Sequence, residues 1–126
     1  MRLAVVDDDN DVRTALSRLL SVMGHEVSAF ASAEALEAGA VVVDCAIVDI
    51  RLPGRSGFEV REWLRNLQPP IPAVLISGDG HRLARDESLV LEGPLVTKPF
   101  DADSLATAIR IAMSNAKSGP ERHVLF

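Results

Sequence analysis

Apolar positions along this chain follow two alternating rhythms. Leu3-Ala4-Val5-Val6 runs without a polar break, as does Cys45-Ala46-Ile47-Val48. Short uninterrupted runs of this kind, bounded by turn residues, predict strands covered on both faces. Between them the spacing turns helical. Val12, Leu16, Leu19, Leu20 and Met23 predict a first helix, with Asp9 or Asn10 as its cap and Gly24 as its stop. Glu26 to Phe30 reads as a second, less apolar strand nearer an edge, and Ser32 caps a short second helix through Glu37 that ends near Gly39. The third strand spans Asp44 to Val48. Ser56-Gly57-Phe58-Glu59 has the form of a capping box, opening a third helix that turns Val60, Leu64 and Leu67 inward and stops at Pro69-Pro70. Pro72 to Ile76 and Leu95 to Thr97 read as strands four and five. A last helix begins near Asp101, with Leu105, Ile109, Ala112 and Met113 on one stripe. His81 to Glu92 reads as an irregular fourth helix, because Arg82, Arg85, Asp86 and Glu87 interrupt Leu83, Leu89, Val90 and Leu91.

Strands separated by helices of this length imply right-handed crossovers and a parallel sheet with helices on both faces. Such sheets bind ligands beyond the carboxyl ends of their strands. Asp7, Asp8, Asp49, Ser77 and Lys98 all lie where an apolar run stops. A charge seldom closes a buried strand without a partner, since burying it alone is costly. Three carboxylates on one rim also repel: at ~5 Å and an effective dielectric near 20, each pair costs about 3 kcal/mol. A hard divalent cation with oxygen ligands and retained waters, Mg²⁺ being the natural one, relieves that repulsion, and Lys98 relieves part of it. A metal, an ammonium and a hydroxyl together match the three oxygens of a transferring phosphoryl group, with a carboxylate as nucleophile. Asp49, held between the third strand and the turn Leu52-Pro53-Gly54, is the best-placed nucleophile.

Composition narrows the classes. The 126 residues, 48% hydrophobic, suit one domain with one core, and no apolar run reaches the length needed to span a bilayer. The start of the chain runs at once into acids, unlike a secretory signal. The single Cys45 excludes an internal disulfide framework, fits a reducing cytoplasm, and reads as core packing. A net charge of -5 argues against direct nucleic-acid binding. His25, His81 and His123 share no zinc spacing, and no Gly-x-x-x-x-Gly-Lys loop is present. The expected organisation is a domain over residues 1–116 with a C-terminal tail over 117–126. Ser118-Gly119-Pro120 also reads as the start of a linker in a longer regulator, whereas Val124-Leu125-Phe126 reads as a natural terminus.

Val6-Asp7-Asp8, Asp49-x-x-x-Pro53, Gly57, Ser77-Gly78 and Lys98-Pro99-Phe100, in this order and spacing, resemble the receiver domain of two-component response regulators. The resemblance covers residues 3 to about 115. It implies a flavodoxin-like, doubly wound, five-stranded parallel sheet of order 2-1-3-4-5. It implies that Asp49 accepts a phosphoryl group from a histidine kinase or histidine phosphotransfer protein. Asp8 and Asp49 would bind Mg²⁺ directly, Asp7 mainly through water, and Arg51 through its backbone carbonyl. Ser77 and Lys98 would each meet a phosphoryl oxygen, and the Lys98-Pro99 bond would be cis. Readout would pass to a protein target, or to a second copy of the chain, through the fourth helix, fifth strand and fifth helix. Two departures from the family stand out. Leu95 occupies the position, three before the lysine, that is commonly aromatic, and the fourth helix is irregular.

Other readings stay open at this level. A Mg²⁺-dependent aspartyl phosphatase would need an acid two residues after the nucleophile, where Arg51 stands. A receiver-like interaction module without phosphorylation is the other rival. Arg51 and Asp79 either pair across the mouth of the site or stand as independent solvated charges. Trp63 reads as packing or as a half-exposed ring.

Overall fold

Five parallel strands alternate with helices in the computed structural model, which describes residues 1–39, 42–78 and 93–124. The elements are β1 (Arg2–Val6), α1 (Asn10–Val22), β2 (Glu26–Phe30), α2 (Ala33–Gly39), β3 (Cys45–Asp49), α3 (Gly57–Arg65), β4 (Ala73–Ser77), β5 (Leu95–Thr97) and a C-terminal helix (Ala102–Val124). The sheet order is β2-β1-β3-β4-β5, as the resemblance implied. The stretch His81 to Glu92, expected as a fourth helix, lies outside the described residues.

Alternate strand residues build two cores. On one face Leu3, Val5, Cys45, Ile47, Val74, Ile76 and Val96 pack against Leu16 and Leu20 of α1 and against Leu105, Ile109 and Ala112 of the C-terminal helix. On the other, Ala4, Val6, Ala46, Val48 and Leu75 pack against Leu36 of α2 and Val60 and Leu64 of α3. Trp63, Leu67 and Leu95 join the second core while keeping partial exposure. Burial on both faces is why these strands read as continuous apolar runs. Burial pushes the Cys45 thiol up to about 12, consistent with a packing role.

Helix ends follow the expected chemistry. Asp9 caps α1, its Oδ1 accepting from the backbone N–H of Asp11 at 3.0 Å and of Val12 at 3.2 Å. Gly24, at φ +99°, turns the chain out of α1 in a conformation that only glycine adopts without strain. Ser56 Oγ accepts from Glu59 N–H at the head of α3. Several boundaries differ from the sequence reading: β1 begins one residue earlier, at Arg2, and α3 ends at Arg65, before Leu67. The third and fourth strands each begin and end one residue later than expected, so Asp49 and Ser77 are the last residues of β3 and β4 rather than loop residues. At Asp44, just before β3, the backbone N–H donates to the Arg2 carbonyl at 2.8 Å while the carboxylate accepts from Arg2 N–H at 2.8 Å. The C-terminal helix continues to Val124, through much of the stretch expected as a tail. Adding a residue to a formed helix costs little beyond its nucleus, and Met113 is the last described side chain packed against the first core. No helix among the described residues is long and apolar enough to cross a membrane.

Candidate functional site

The parallel register delivers the chemistry to one rim. Val6 lies opposite Val48, and Asp49 lies opposite Ile76. Ser77 lies opposite Thr97, the residue before Lys98. Every predicted site residue therefore leaves the sheet at the same edge. Asp7, Asp8 and Asp49 offer carboxylate oxygens that all lie within 4.8 Å of one another. Lys98 reaches over them, with Nζ 3.5 Å from Asp49 Oδ2 and 3.8 Å from Asp7 Oδ2. Ser77 is fully buried, and its carbonyl accepts from Lys98 N–H at 2.8 Å, so the hydroxyl and the ammonium ride on directly linked backbone. The Lys98-Pro99 bond is cis, as the resemblance implied.

Asp7 is held on nearly every side. Its N–H donates to the Phe30 carbonyl at 3.1 Å, its carbonyl accepts from Arg13 Nη1 at 2.8 Å, and its Oδ1 accepts from Asp9 N–H at 2.9 Å. Of the Asp7 polar atoms, Oδ2 is the one buried with no hydrogen-bond partner among the described residues. A buried carboxylate oxygen without a donor is costly, and this one lies in the acidic cluster beside the ammonium. The arrangement suits an oxygen-preferring divalent cation, either directly or through one of its waters. Asp49 Oδ1 accepts from Arg51 N–H at 2.9 Å, which fixes the carboxylate and leaves Oδ2 on the Lys98 side. Asp8 is exposed at the mouth. Asp79, the suggested partner of Arg51, lies outside the described residues.

The protonation of Asp7 reports the same strain. Burial, and then the charge of Asp49, push its carboxyl up to about 6, against the opposing pull of the Asp9 N–H and of Lys98. A folded-state value above the unfolded one means the native state holds the proton more tightly. The stability from protonated Asp7 is thus complete below about pH 4 and is lost as pH rises through about 6. Metal-free Asp7→Asn protein should therefore melt at higher temperature than the parent at pH 8. The gap should shrink towards pH 4, and also on adding Mg²⁺ at pH 8. Melting curves at three pH values check this.

Two features of the site had a structural role that the sequence did not show. Arg13, on the first turn of α1, grips the loop between the acids. Gly57 lies against the backbone of Asp49: a Cβ there would meet Asp49 O at 2.5 Å and Ile50 Cα at 2.6 Å. Gly57 was legible as part of a motif, but its reason, a close backbone approach, was not.

Comparisons with known proteins point to one family. The family model described as the response regulator receiver domain matches residues 3–110. The response regulator protein TmoT of Ectopseudomonas mendocina is 37% identical over 121 residues, covering 93% of this chain and 54% of that protein. The transcriptional regulatory protein FixJ of Bradyrhizobium diazoefficiens is 32% identical, covering 90% and 57%. The chain thus spans about half the length of these relatives. Among solved structures, the response regulator TrrA of Thermotoga maritima, in complex with Mg²⁺ and BeF, superposes with TM-score 0.73 at 26% identity, covering 86% of this chain and 96% of that one.

Proposed function

We propose that this chain, which belongs to the response regulator receiver family of two-component signalling, is a switch set by phosphorylation of Asp49. The observation that carries the reading is the buried Asp49 carboxylate, its Oδ1 fixed by Arg51 N–H and its Oδ2 3.5 Å from Lys98 Nζ. An Asp49 oxygen forms the new P–O bond while the P–N bond of a phosphohistidine breaks and the freed imidazole takes up a proton. The donor is a histidine kinase or a histidine phosphotransfer protein. Lys98 pairs with one phosphoryl oxygen, and Ser77 donates its hydroxyl proton to another. Asp8, Asp49 and the Arg51 carbonyl would hold Mg²⁺, with Asp7 Oδ2 acting through water. That ion, when bound, supplies the positive charge that offsets the phosphoryl oxygens. The complex of TrrA with Mg²⁺ and BeF supports this assignment.

Catalysis in this reading is confined to the chain's own phosphorylation and dephosphorylation. Modification shifts the population of a surface that includes β5 and the C-terminal helix. A protein target or a second copy reads that surface. With Leu95 half-buried in the second core, transmission runs through an aliphatic residue in place of a ring. Residues 1–116 act as the switch unit, in the cytoplasm, without direct nucleic-acid or membrane contact.

Incubation with Mg²⁺ and acetyl phosphate tests the reading. Intact mass should show one added phosphoryl group, absent from Asp49→Ala and absent when Mg²⁺ is chelated. No adduct on the parent, or an equal adduct on Asp49→Ala, would overturn it.

A further inference from the structure

Between β1 and α1 the chain carries the two acids of the metal site on one peptide unit, the carbonyl of Asp7 and the N–H of Asp8. That unit does not lie free. Arg13 Nη1 donates to the Asp7 carbonyl at 2.8 Å, in a partly buried contact, and Nη2 donates to Asn10 Oδ1 at 2.6 Å. One planar guanidinium thus spans the loop from its first residue to the first residue of α1. The Arg13 backbone is itself anchored, since its N–H donates to the Asp9 carbonyl at 2.9 Å and its carbonyl accepts from Ser17 Oγ at 2.7 Å. The bonds of Asp7 N–H to Phe30 and of Asp7 Oδ1 to Asp9 N–H leave the Asp7-Asp8 peptide plane free to rotate unless Arg13 holds it. Rotation of that plane would swing the exposed Asp8 carboxylate out of the cluster.

We propose that Arg13 is a positioning residue of the metal site, a fork that locks the Asp7-Asp8 peptide so that Asp8 is presented to the ion before the ion arrives. The inference rests on the Mg²⁺ reading above. Arg13 touches neither the ion nor the phosphoryl group. Its value is preorganisation: a ligand already aimed costs no ordering when the metal binds, and outer-shell partners of metal ligands commonly contribute 10- to 100-fold in affinity. A lysine cannot replace it, because an ammonium on a flexible stem lacks the two fixed, coplanar donors. A simple charge effect has the opposite sign, since removing a cation near three carboxylates would tighten the binding of another cation.

Calorimetric titration of Mg²⁺ into the parent, Arg13→Lys, Arg13→Gln, Asn10→Ala and Asp8→Asn separates these accounts, with melting curves run on the same samples. Arg13→Lys and Arg13→Gln should both bind Mg²⁺ about tenfold more weakly than the parent. Asn10→Ala, which frees one tine of the fork, should fall between, and all three should melt cooperatively. Parent-like affinity in Arg13→Lys with tighter binding in Arg13→Gln would overturn the proposal in favour of charge alone. A lowered melting temperature with unchanged affinity would overturn it in favour of a purely structural role. If the parent itself does not bind Mg²⁺, or binds no better than Asp8→Asn, the metal site fails and the inference falls with it. If the parent binds and Asp8→Asn does not, parent-like affinity in both Arg13 variants overturns the inference alone.

Discussion

Lys98→Met is expected to slow phosphoryl transfer onto Asp49 by about 10²- to 10³-fold, the usual cost of removing one charge-stabilising donor from a reacting centre. Methionine keeps the length and the apolar stem of the side chain but removes the ammonium, which lies 3.5 Å from Asp49 Oδ2 and 3.8 Å from Asp7 Oδ2. The rate of adduct growth at saturating Mg²⁺ and acetyl phosphate reads the effect. The same change leaves two buried carboxylates facing each other without their cation, so stability should fall at pH 8 in metal-free buffer. Adding Asp7→Asn to Lys98→Met removes one of the two charges. It should restore most of the melting temperature and none of the transfer rate. Recovery of both would show that Lys98 serves stability alone.

Gly57→Ala is the second large effect. The new methyl would enter within 2.5 Å of the Asp49 carbonyl and 2.6 Å of Ile50 Cα, and neither is a side chain that can swing aside. The Gly57 N–H also donates to the Ile50 carbonyl at 2.9 Å, so helix α3 and the acceptor strand must part together. Overpacking of this kind costs about 1–3 kcal/mol, or roughly 4–12 °C in Tm for a domain of this size. Gly78→Ala is the control. Its Cβ would sit 3.6 Å from Lys98 Cδ, an ordinary contact, and it should change Tm little. Because the moved atoms belong to Asp49, Gly57→Ala should also lower the adduct yield, whereas Gly78→Ala should leave the fold intact.

The strand ends were legible because burial on both faces writes itself as an unbroken apolar run, and a charge that ends such a run is conspicuous. Asp49 illustrates this. The boundary itself slipped by one residue, since the ladder at Asp49 uses backbone groups that are indifferent to a charged side chain, while at Asp44 the Arg2 N–H is taken by a side-chain carboxylate. Parallel pairing then brought Asp7, Asp8, Asp49 and Lys98 together, with Ser77 at the neighbouring strand end. Arg13 stayed hidden for the opposite reason. Helical periodicity marks apolar positions, and a polar residue on the first turn reads as solvated surface until its partner carbonyl is seen. Leu95 was visible as a departure from the family. Its half-burial against the α3-side core emerged only when β5 was placed beside β4.

The central claim is that one oxygen of Asp49 receives the phosphoryl group, and chemical trapping tests it most directly. Borohydride reduction of the freshly phosphorylated protein converts an aspartyl phosphate to homoserine, which peptide sequencing then locates. Homoserine at position 49 and nowhere else is the predicted result. Homoserine at Asp7 or Asp8, or its absence from a protein that carries the added mass, would contradict it.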